Sequence, residues 1–189
     1  MKLILASSSP RRAAYLKELG IEFRKIAPDV DETLRRGESP RAYVRRLALE
    51  KASAVAERHP KSWVVGADTT VVLDNAVVGK PRDPADARKM LRRLSGRPHR
   101  VLSGIALVRA ETSAAESAVS STRVFIRPLS ETEIRWYVAT GEPLDKAGAY
   151  GAQGKGGLLV SRVEGSFSNV VGFPLEKFYE LVNACGIRL

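Results

Sequence analysis

Short apolar runs alternate along the chain with longer segments in which apolar residues recur at every third or fourth position. The runs predict buried strands, and the periodic segments predict helices. Strands are predicted over residues 3–6, 21–27, 63–67, 70–73, 76–78, 100–108, 117–126 and 158–163. Helices are predicted from Ser9 to Gly20, from Ser39 to about Arg58, from Asp83 to Gly96, from Ser130 to Thr140 and from Pro174 to Ala184. Because their order is not strictly alternating, we expect an α/β protein with a mixed sheet.

Apolar positions on two of the helices predict which sides face the core. In the first helix, Ala14, Tyr15 and Leu19 are expected to point inward. In the second, Lys51 lies four residues after Leu47, within the apolar stripe. Two interpretations of Lys51 follow from the helix alone. Its amine reaches water at the edge of the stripe, or it faces an anion at the base of a cleft.

The net charge of the chain says more about its function than its overall composition does. The chain has 189 residues, and 31 Lys and Arg against 21 Asp and Glu give 31 − 21 = +10. A basic excess predicts an anionic partner, either nucleic acid or small phosphates. The apolar share of 44% excludes a disordered protein and fits a single domain over residues 1–189.

Cysteine usage and the chain start predict the compartment. Cys185 is the single cysteine, so no disulfide within the chain is possible and a reducing compartment is expected. No stretch of the sequence approaches the ~18–20 apolar residues of a membrane span. The apolar start is too short for a secretion signal, so we expect a cytoplasmic protein without a membrane partner.

Three segments carry candidate phosphate chemistry. Asp68 closes the apolar run of residues 63–67, where a carboxylate is costly unless it is paired or metal-bound. Residues 7–12 join the first strand to the first helix with hydroxyls and two arginines, which suits a phosphate. Lys80, before Pro81, would present its ammonium to a phosphate. A turn aspartate, a simple helix cap and a solvated turn are the alternatives at these three places.

The glycine-rich segment 148–157 matches neither a Walker motif nor the dinucleotide fingerprint. We expect a flexible loop that closes over a ligand, in which the Gln153 amide offers a donor and an acceptor to a base edge. A glycine-rich connection without a task is the alternative.

The acidic candidates suggest a hard divalent ion, typically Mg²⁺ or Mn²⁺, held on carboxylates and phosphate oxygens. These candidates are Asp29, Asp31, Glu32 and Asp68. No cluster of histidine and cysteine suits zinc.

Seven segments together resemble the Maf family of nucleoside triphosphate pyrophosphatases, and they follow one another in family order over nearly the whole chain. They are residues 5–12, 50–52, 66–69, 80–83, 94–96, 144–154 and 171–175. The resemblance implies a two-lobed fold of the inosine-triphosphatase type with a central cleft. It also implies a homodimer and metal-dependent hydrolysis of a nucleoside triphosphate to the monophosphate and pyrophosphate.

The resemblance implies roles for individual residues as well. Asp68 is the general base, or a ligand of the metal that activates water, and Glu32 shares that metal. The implied phosphate-binding residues are Ser8, Arg12, Lys51 and Lys80. The positions tied to base selection are Arg11, Thr69 and Gln153. These three positions resemble those of the dTTP- and UTP-cleaving subgroup, and the related 7-methyl-GTP subgroup has a different stretch in place of residues 148–154.

Two other classes of function compete with this interpretation. A nucleic-acid-binding module would explain the charge, but aromatic residues are only 6% and no RNA-stacking motif is present. A regulatory role in cell division, long linked with the family name, is compatible with catalysis.

Overall fold

The computed structural model describes residues 3–188, so Met1, Lys2 and Leu189 of the predicted domain lie outside the described residues. The strands are β1 (Leu3–Ala6), β2 (Phe23–Ile26), β3 (Trp63–Leu73), β4 (Ala76–Val78), β5 (Pro98–Arg109), β6 (Ala114–Ile126) and β7 (Val160–Glu164). The helices are α1 (Pro10–Glu18), α2 (Pro40–Ala56), α3 (Pro84–Leu94), α4 (Glu131–Ala139), α5 (Phe167–Val171) and α6 (Leu175–Ala184). Every helix found by the local start signals is present, and α5 is an addition.

The strands form one mixed sheet in the order β2-β1-β3-β5-β6-β7, with β4 paired to β3. β1 runs parallel to both β2 and β3, so Leu3 pairs with Phe23 on one side and with Trp63 on the other. β4 is antiparallel to β3, and β7 is antiparallel to β6. The predicted mixed α/β sheet is therefore confirmed.

Helix starts follow from side chains that accept the first free backbone N–H groups. Ser39 accepts from Ala42 N at 3.2 Å, and Asp83 accepts from Asp86 N at 2.7 Å. Ser130 heads a complete capping box before α4. Ser9 occupies the cap position of α1, but its side chain makes no capping hydrogen bond among the described residues.

The described chain divides into two compact units. The first contains the chain up to Asp68, Ser103–Ser120 and the chain from Gly172, and the second contains Thr69–Leu102 and Ser121–Val171. In the first unit, β1 is buried on both faces: Leu3 and Leu5 enter one core cluster, while Ile4 and Ala6 enter another. Such burial explains why β1 is continuously apolar. One domain with a cleft between two lobes stays a prediction.

Helix α1 turns a different side inward than the sequence predicted. Leu16 is fully buried, whereas Leu19 is 49% exposed, Ala14 is exposed and Tyr15 is half-buried. The inward side is centred on Leu16, which packs in the same core cluster as Leu3 and Phe178, whereas Leu19 is the C-cap residue at the exposed end of the helix.

The second unit has its own core, in which α3 and α4 pack with β-strands and with the glycine-rich segment. Leu91 of α3 and Tyr137 of α4 are fully buried there, together with Ala149. The segment predicted as a glycine-rich loop over residues 142–157 instead contains 3₁₀ helical turns at Glu142–Asp145, Ala147–Ala149 and Gly154–Leu159. Within residues 3–188, every helix is too short or too polar to span a bilayer.

Candidate active site

Two carboxylates and one ammonium meet in the first unit. Lys51 Nζ donates to Asp68 Oδ1 at 2.7 Å and lies 2.5 Å from Glu32 Oε1. Lys51 and Asp68 are buried, whereas the Glu32 side chain is 50% exposed. The structure therefore brings together three of the predicted site residues, and the amine of Lys51 faces anions and not water.

Asp68 does not end a strand, which corrects the sequence prediction. The predicted strands 63–67 and 70–73 are one strand, β3, which runs through Asp68 to Leu73. Side chains alternate across a strand, so Asp68 shares a face with Gly66. A Cβ on Gly66 would overlap the backbone of Ala48 in α2, so this face lies directly against α2. The buried stripe of α2 carries Lys51 and brings it to Asp68.

The electrostatics of this site favour a cation beside Asp68. Burial raises the pKa of the Asp68 carboxyl above its ordinary value, while the charges of Lys51 and Arg12 lower it. Burial also raises the pKa of the Tyr43 hydroxyl to about 12, and the charges of Asp68 and Glu32 add to that rise. A buried carboxylate of this kind needs positive partners to stay ionised.

The loop that carries Glu32 is tied to α2. The Tyr43 hydroxyl donates to the Glu32 carbonyl at 2.9 Å. Arg46 makes a two-pronged contact with Glu38 at 2.7 and 2.8 Å, and its Nη2 also donates to the Thr33 carbonyl. Bidentate arginine–carboxylate pairs fix geometry as well as charge. Sequence reasoning missed both Tyr43 and Arg46 as supports, although the spacing of Arg46 and Glu50 on α2 was a signal.

Arg12 is held from both ends within the same unit. Its Nε donates to the Gly172 carbonyl at 2.9 Å, and its Nη1 donates to Ser7 Oγ at 3.1 Å. Ser7 is buried, and its hydroxyl also accepts from Ser9 N at 3.1 Å. The supporting hydroxyl is therefore that of Ser7, which the sequence placed in the candidate phosphate segment 7–12 without a role of its own. Ser8, the predicted phosphate ligand, is exposed, and Arg11 is half-buried.

Three predicted residues belong to the second unit. Thr69 follows Asp68 on β3, so its side chain lies on the opposite face of that strand. Lys80 is exposed, and the turn that carries it is fixed by Gly79, whose carbonyl accepts from Gly148 N at 2.9 Å. Gln153 is exposed within the glycine-rich segment. Their roles in phosphate binding and base selection stay predictions.

The donor chemistry at Glu32 and Asp68 fits a hard divalent ion. Among residues 3–188 no group of three or more His, Cys, Asp or Glu side chains is placed to hold a metal. Two carboxylates nevertheless converge on one positive charge, the Lys51 ammonium. Mg²⁺ commonly takes only one or two carboxylates, with water and substrate phosphates as its other ligands.

Comparison with known sequences defines the class of this protein. Residues 2–185 match the family model described as Maf-like protein, and the chain belongs to that family. It is 54% identical over 187 residues to a protein of Myxococcus xanthus (strain DK1622) named dTTP/UTP pyrophosphatase, covering 99% of this chain and 94% of the relative. A protein of the same name from Desulfotalea psychrophila (strain LSv54 / DSM 12343) is 52% identical, covering 94% and 91%.

Solved structures have the same fold. The Ham1 protein of Staphylococcus aureus matches with a TM-score of 0.57 at 14% identity, covering 98% of this chain and 97% of that chain. A HAM1 protein from Coxiella burnetii matches with a TM-score of 0.56 at 18% identity, covering 98% of both. At these identities the likeness concerns the fold alone, and it confirms the predicted inosine-triphosphatase type.

Proposed function

We propose that this protein hydrolyses nucleoside triphosphates to the monophosphate and pyrophosphate, with dTTP and UTP as its preferred substrates. The observation that carries the proposal is the buried Asp68 carboxylate held by the Lys51 ammonium, with Glu32 beside them. The names of the two relatives support the same activity and the same substrates.

Asp68 acts in this proposal as the base that accepts a proton from the attacking water. Burial raises the pKa of its carboxyl, which makes the carboxylate a better base near neutral pH. Lys51 has three N–H donors, of which two are engaged by Asp68 and Glu32, so one is left for a phosphate oxygen. Arg12, held by Ser7, offers further positive charge where charge grows on the bridging oxygen.

We also propose that Glu32 and Asp68 hold Mg²⁺ or Mn²⁺. Such an ion would offset part of the triphosphate charge and lower the pKa of water. Ser8 and Lys80 bind phosphates in this proposal, and Arg11, Thr69 and Gln153 select the base. The homodimer and the cytoplasmic location stay predictions, and analytical ultracentrifugation of the purified protein tests the first.

Pyrophosphate release from a panel of nucleoside triphosphates tests the activity. The panel contains the four ribonucleotides, dTTP and 7-methyl-GTP, each with Mg²⁺, with Mn²⁺ and with EDTA. We expect dTTP and UTP to be cleaved best and EDTA to abolish turnover. Preference for 7-methyl-GTP would assign the protein to the other subgroup, and a full rate in EDTA would refute the metal.

The variant Asp68→Asn tests the base. Removal of a general base lowers turnover by at least ~10². Asp74→Asn is the matched control, because Asp74 lies in the β3–β4 turn and pairs at the surface with Arg97. Near-normal turnover in a folded Asp68→Asn protein would show that Asp68 is not the base. Absence of pyrophosphate release from every nucleotide would favour the regulatory or nucleic-acid-binding classes.

A further inference from the structure

A half-buried carboxylate and a buried phenol in the second unit hold the bend that carries Gln153. The Glu142 carboxylate accepts from Lys155 N at 3.1 Å through Oε2, and from Gly156 N at 3.0 Å through Oε1. The Tyr137 hydroxyl donates to Glu142 Oε1 at 3.0 Å and accepts from Gly151 N at 3.1 Å. One carboxylate and one phenol therefore satisfy three backbone N–H groups of the segment.

These contacts bracket Gln153 on both sides. Gly151 lies two residues before Gln153, and Lys155 lies two residues after it. Gly156 is packed so closely that a Cβ would overlap the Gly151 carbonyl and the Tyr137 hydroxyl. The two ends of the bend are thus pressed together, and Gln153 at its outer side is exposed.

Backbone conformation indicates that the segment is fixed and not loose. Ala149 adopts φ = 58°, a left-handed conformation that is uncommon for a residue with a Cβ. Strain of this kind persists only where the surrounding structure imposes it. Ala149 is fully buried, and its N–H donates to the Lys146 carbonyl at 3.0 Å.

We propose that Tyr137 and Glu142 are positioning residues that set base selectivity by fixing the orientation of Gln153. This inference rests on the proposed function. A glutamine amide has an accepting end and a donating end, so it distinguishes uracil from cytosine only if its orientation is fixed. Uracil and thymine present an N3–H donor between carbonyl acceptors, whereas cytosine reverses part of that pattern. The bend supplies the fixed frame from which Gln153 extends.

The test compares Tyr137→Phe and Glu142→Gln with the wild-type protein. Phenylalanine keeps the buried ring and removes only the hydroxyl, and glutamine keeps the shape but replaces one accepting oxygen with a donor. A glutamine amide that is mispaired with the base edge changes relative rates by about ten- to a hundredfold. We expect the ratio of kcat/KM for UTP to that for CTP to fall by about tenfold or more, through KM for UTP, while kcat for UTP changes by less than about threefold.

Matched controls separate positioning from general damage. Glu131→Gln makes the same chemical change in α4, where Glu131 pairs at the surface with Arg92, and Tyr179→Phe removes an exposed hydroxyl. Both controls should keep the wild-type ratio of UTP to CTP cleavage.

Amide hydrogen exchange in the nucleotide-free protein supplies a readout besides activity. We expect Gly151, Lys155 and Gly156 to exchange faster in both variants, with unchanged exchange in β3 and α2. Unchanged exchange at these amides, or an unchanged UTP-to-CTP ratio in variants of a selective wild type, would overturn the positioning role. A wild-type protein that cleaves UTP and CTP equally would instead overturn the proposed base selection itself.

Discussion

Replacement of Lys51 by methionine tests whether the ammonium at the centre of the site is structural as well as functional. From the sequence alone, Lys51→Met is expected to fold at least as stably as the wild type and to lose activity, because this face of α2 is apolar. The contacts of Lys51 with Asp68 and Glu32 change that expectation. In Lys51→Met, the Asp68 carboxylate stays buried without its nearest positive partner.

The expected loss of stability follows from two limits. Removing one partner of a buried ion pair costs roughly 3–5 kcal/mol. The variant can instead protonate Asp68, which at pH 7.5 costs about 1.4 × (7.5 − 3.9), or about 5 kcal/mol, and at pH 5 only about 1.5 kcal/mol. Because burial already raises the pKa of Asp68, the folded variant binds that proton more readily than the unfolded chain does. The loss of folding stability in Lys51→Met is therefore largest at high pH, and it becomes smaller as the pH falls toward 4.

Urea unfolding in EDTA at pH 7.5 and pH 5 measures this penalty. We expect Lys51→Met to lose about 3–5 kcal/mol at pH 7.5 and about 1.5 kcal/mol or less at pH 5. The double variant Lys51→Met/Asp68→Asn should regain most of the loss at pH 7.5, since no buried charge is left unpaired. A Lys51→Met protein that matches the wild type at pH 7.5, or a loss that does not depend on pH, would refute the reasoning.

Three further predictions concern His99, the contact of Ser7 with Arg12, and Gly104. Burial lowers the pKa of His99 to about 4, whereas the unfolded chain has a histidine pKa near 6.5. The unfolded chain therefore binds the proton more readily, and the protein loses stability as the pH falls below about 6.5. Urea unfolding of His99→Gln should show a loss of stability between pH 7 and pH 5 that is about 2 kcal/mol smaller than in the wild type. Ser7→Ala should raise KM for UTP by about tenfold, because Arg12 loses the hydroxyl that holds its guanidinium. A tenfold rise in Ser8→Ala with no change in Ser7→Ala would contradict this and would indicate that Ser8 contacts the phosphate directly. Gly104→Ala should destabilise by about 3 kcal/mol or more, because its Cβ overlaps the Val44 backbone. Gly79→Ala, with open space, should change the urea midpoint little.

The parts of the fold that local chemistry determines were predictable from the sequence. Ser39, Asp83 and Ser130 each accept a backbone N–H within a few residues of themselves, so their helices could be located without knowledge of the sheet. The Asp74–Asn75 turn was predictable for another local reason: Asp and Asn tolerate the left-handed conformation that both residues adopt in this hairpin turn. The inward face of α1 was not predictable, because it depends on the distant residues Leu3 and Phe178 that share a core cluster with Leu16.

The site was partly predictable, and its geometry was not. The sequence singled out Asp68, Lys51 and Glu32 by residue type and family pattern, yet it placed Asp68 at a strand end. A carboxylate in the middle of β3 interrupts the apolar pattern, so the pattern predicted two strands where there is one. A hydrophobicity pattern does not distinguish a buried charge that is paired from an exposed charge. The pairing comes from α2, which lies against β3 at Gly66 and brings Lys51 to the carboxylate.

The rigid conformation of the glycine-rich segment was not predictable from the local sequence either. Its glycines predicted flexibility, although at Gly156 the glycine is required because Gly151 and the Tyr137 hydroxyl leave no room for a Cβ. The groups that fix the segment lie 14 residues earlier in the chain, on and just after α4, so no local pattern connects them to it. Glycine increases the conformational freedom of an unfolded chain, and in a folded protein it allows two segments to approach each other closely. Only the partners of the neighbouring N–H groups distinguish the two uses, and here those partners are Tyr137 and Glu142.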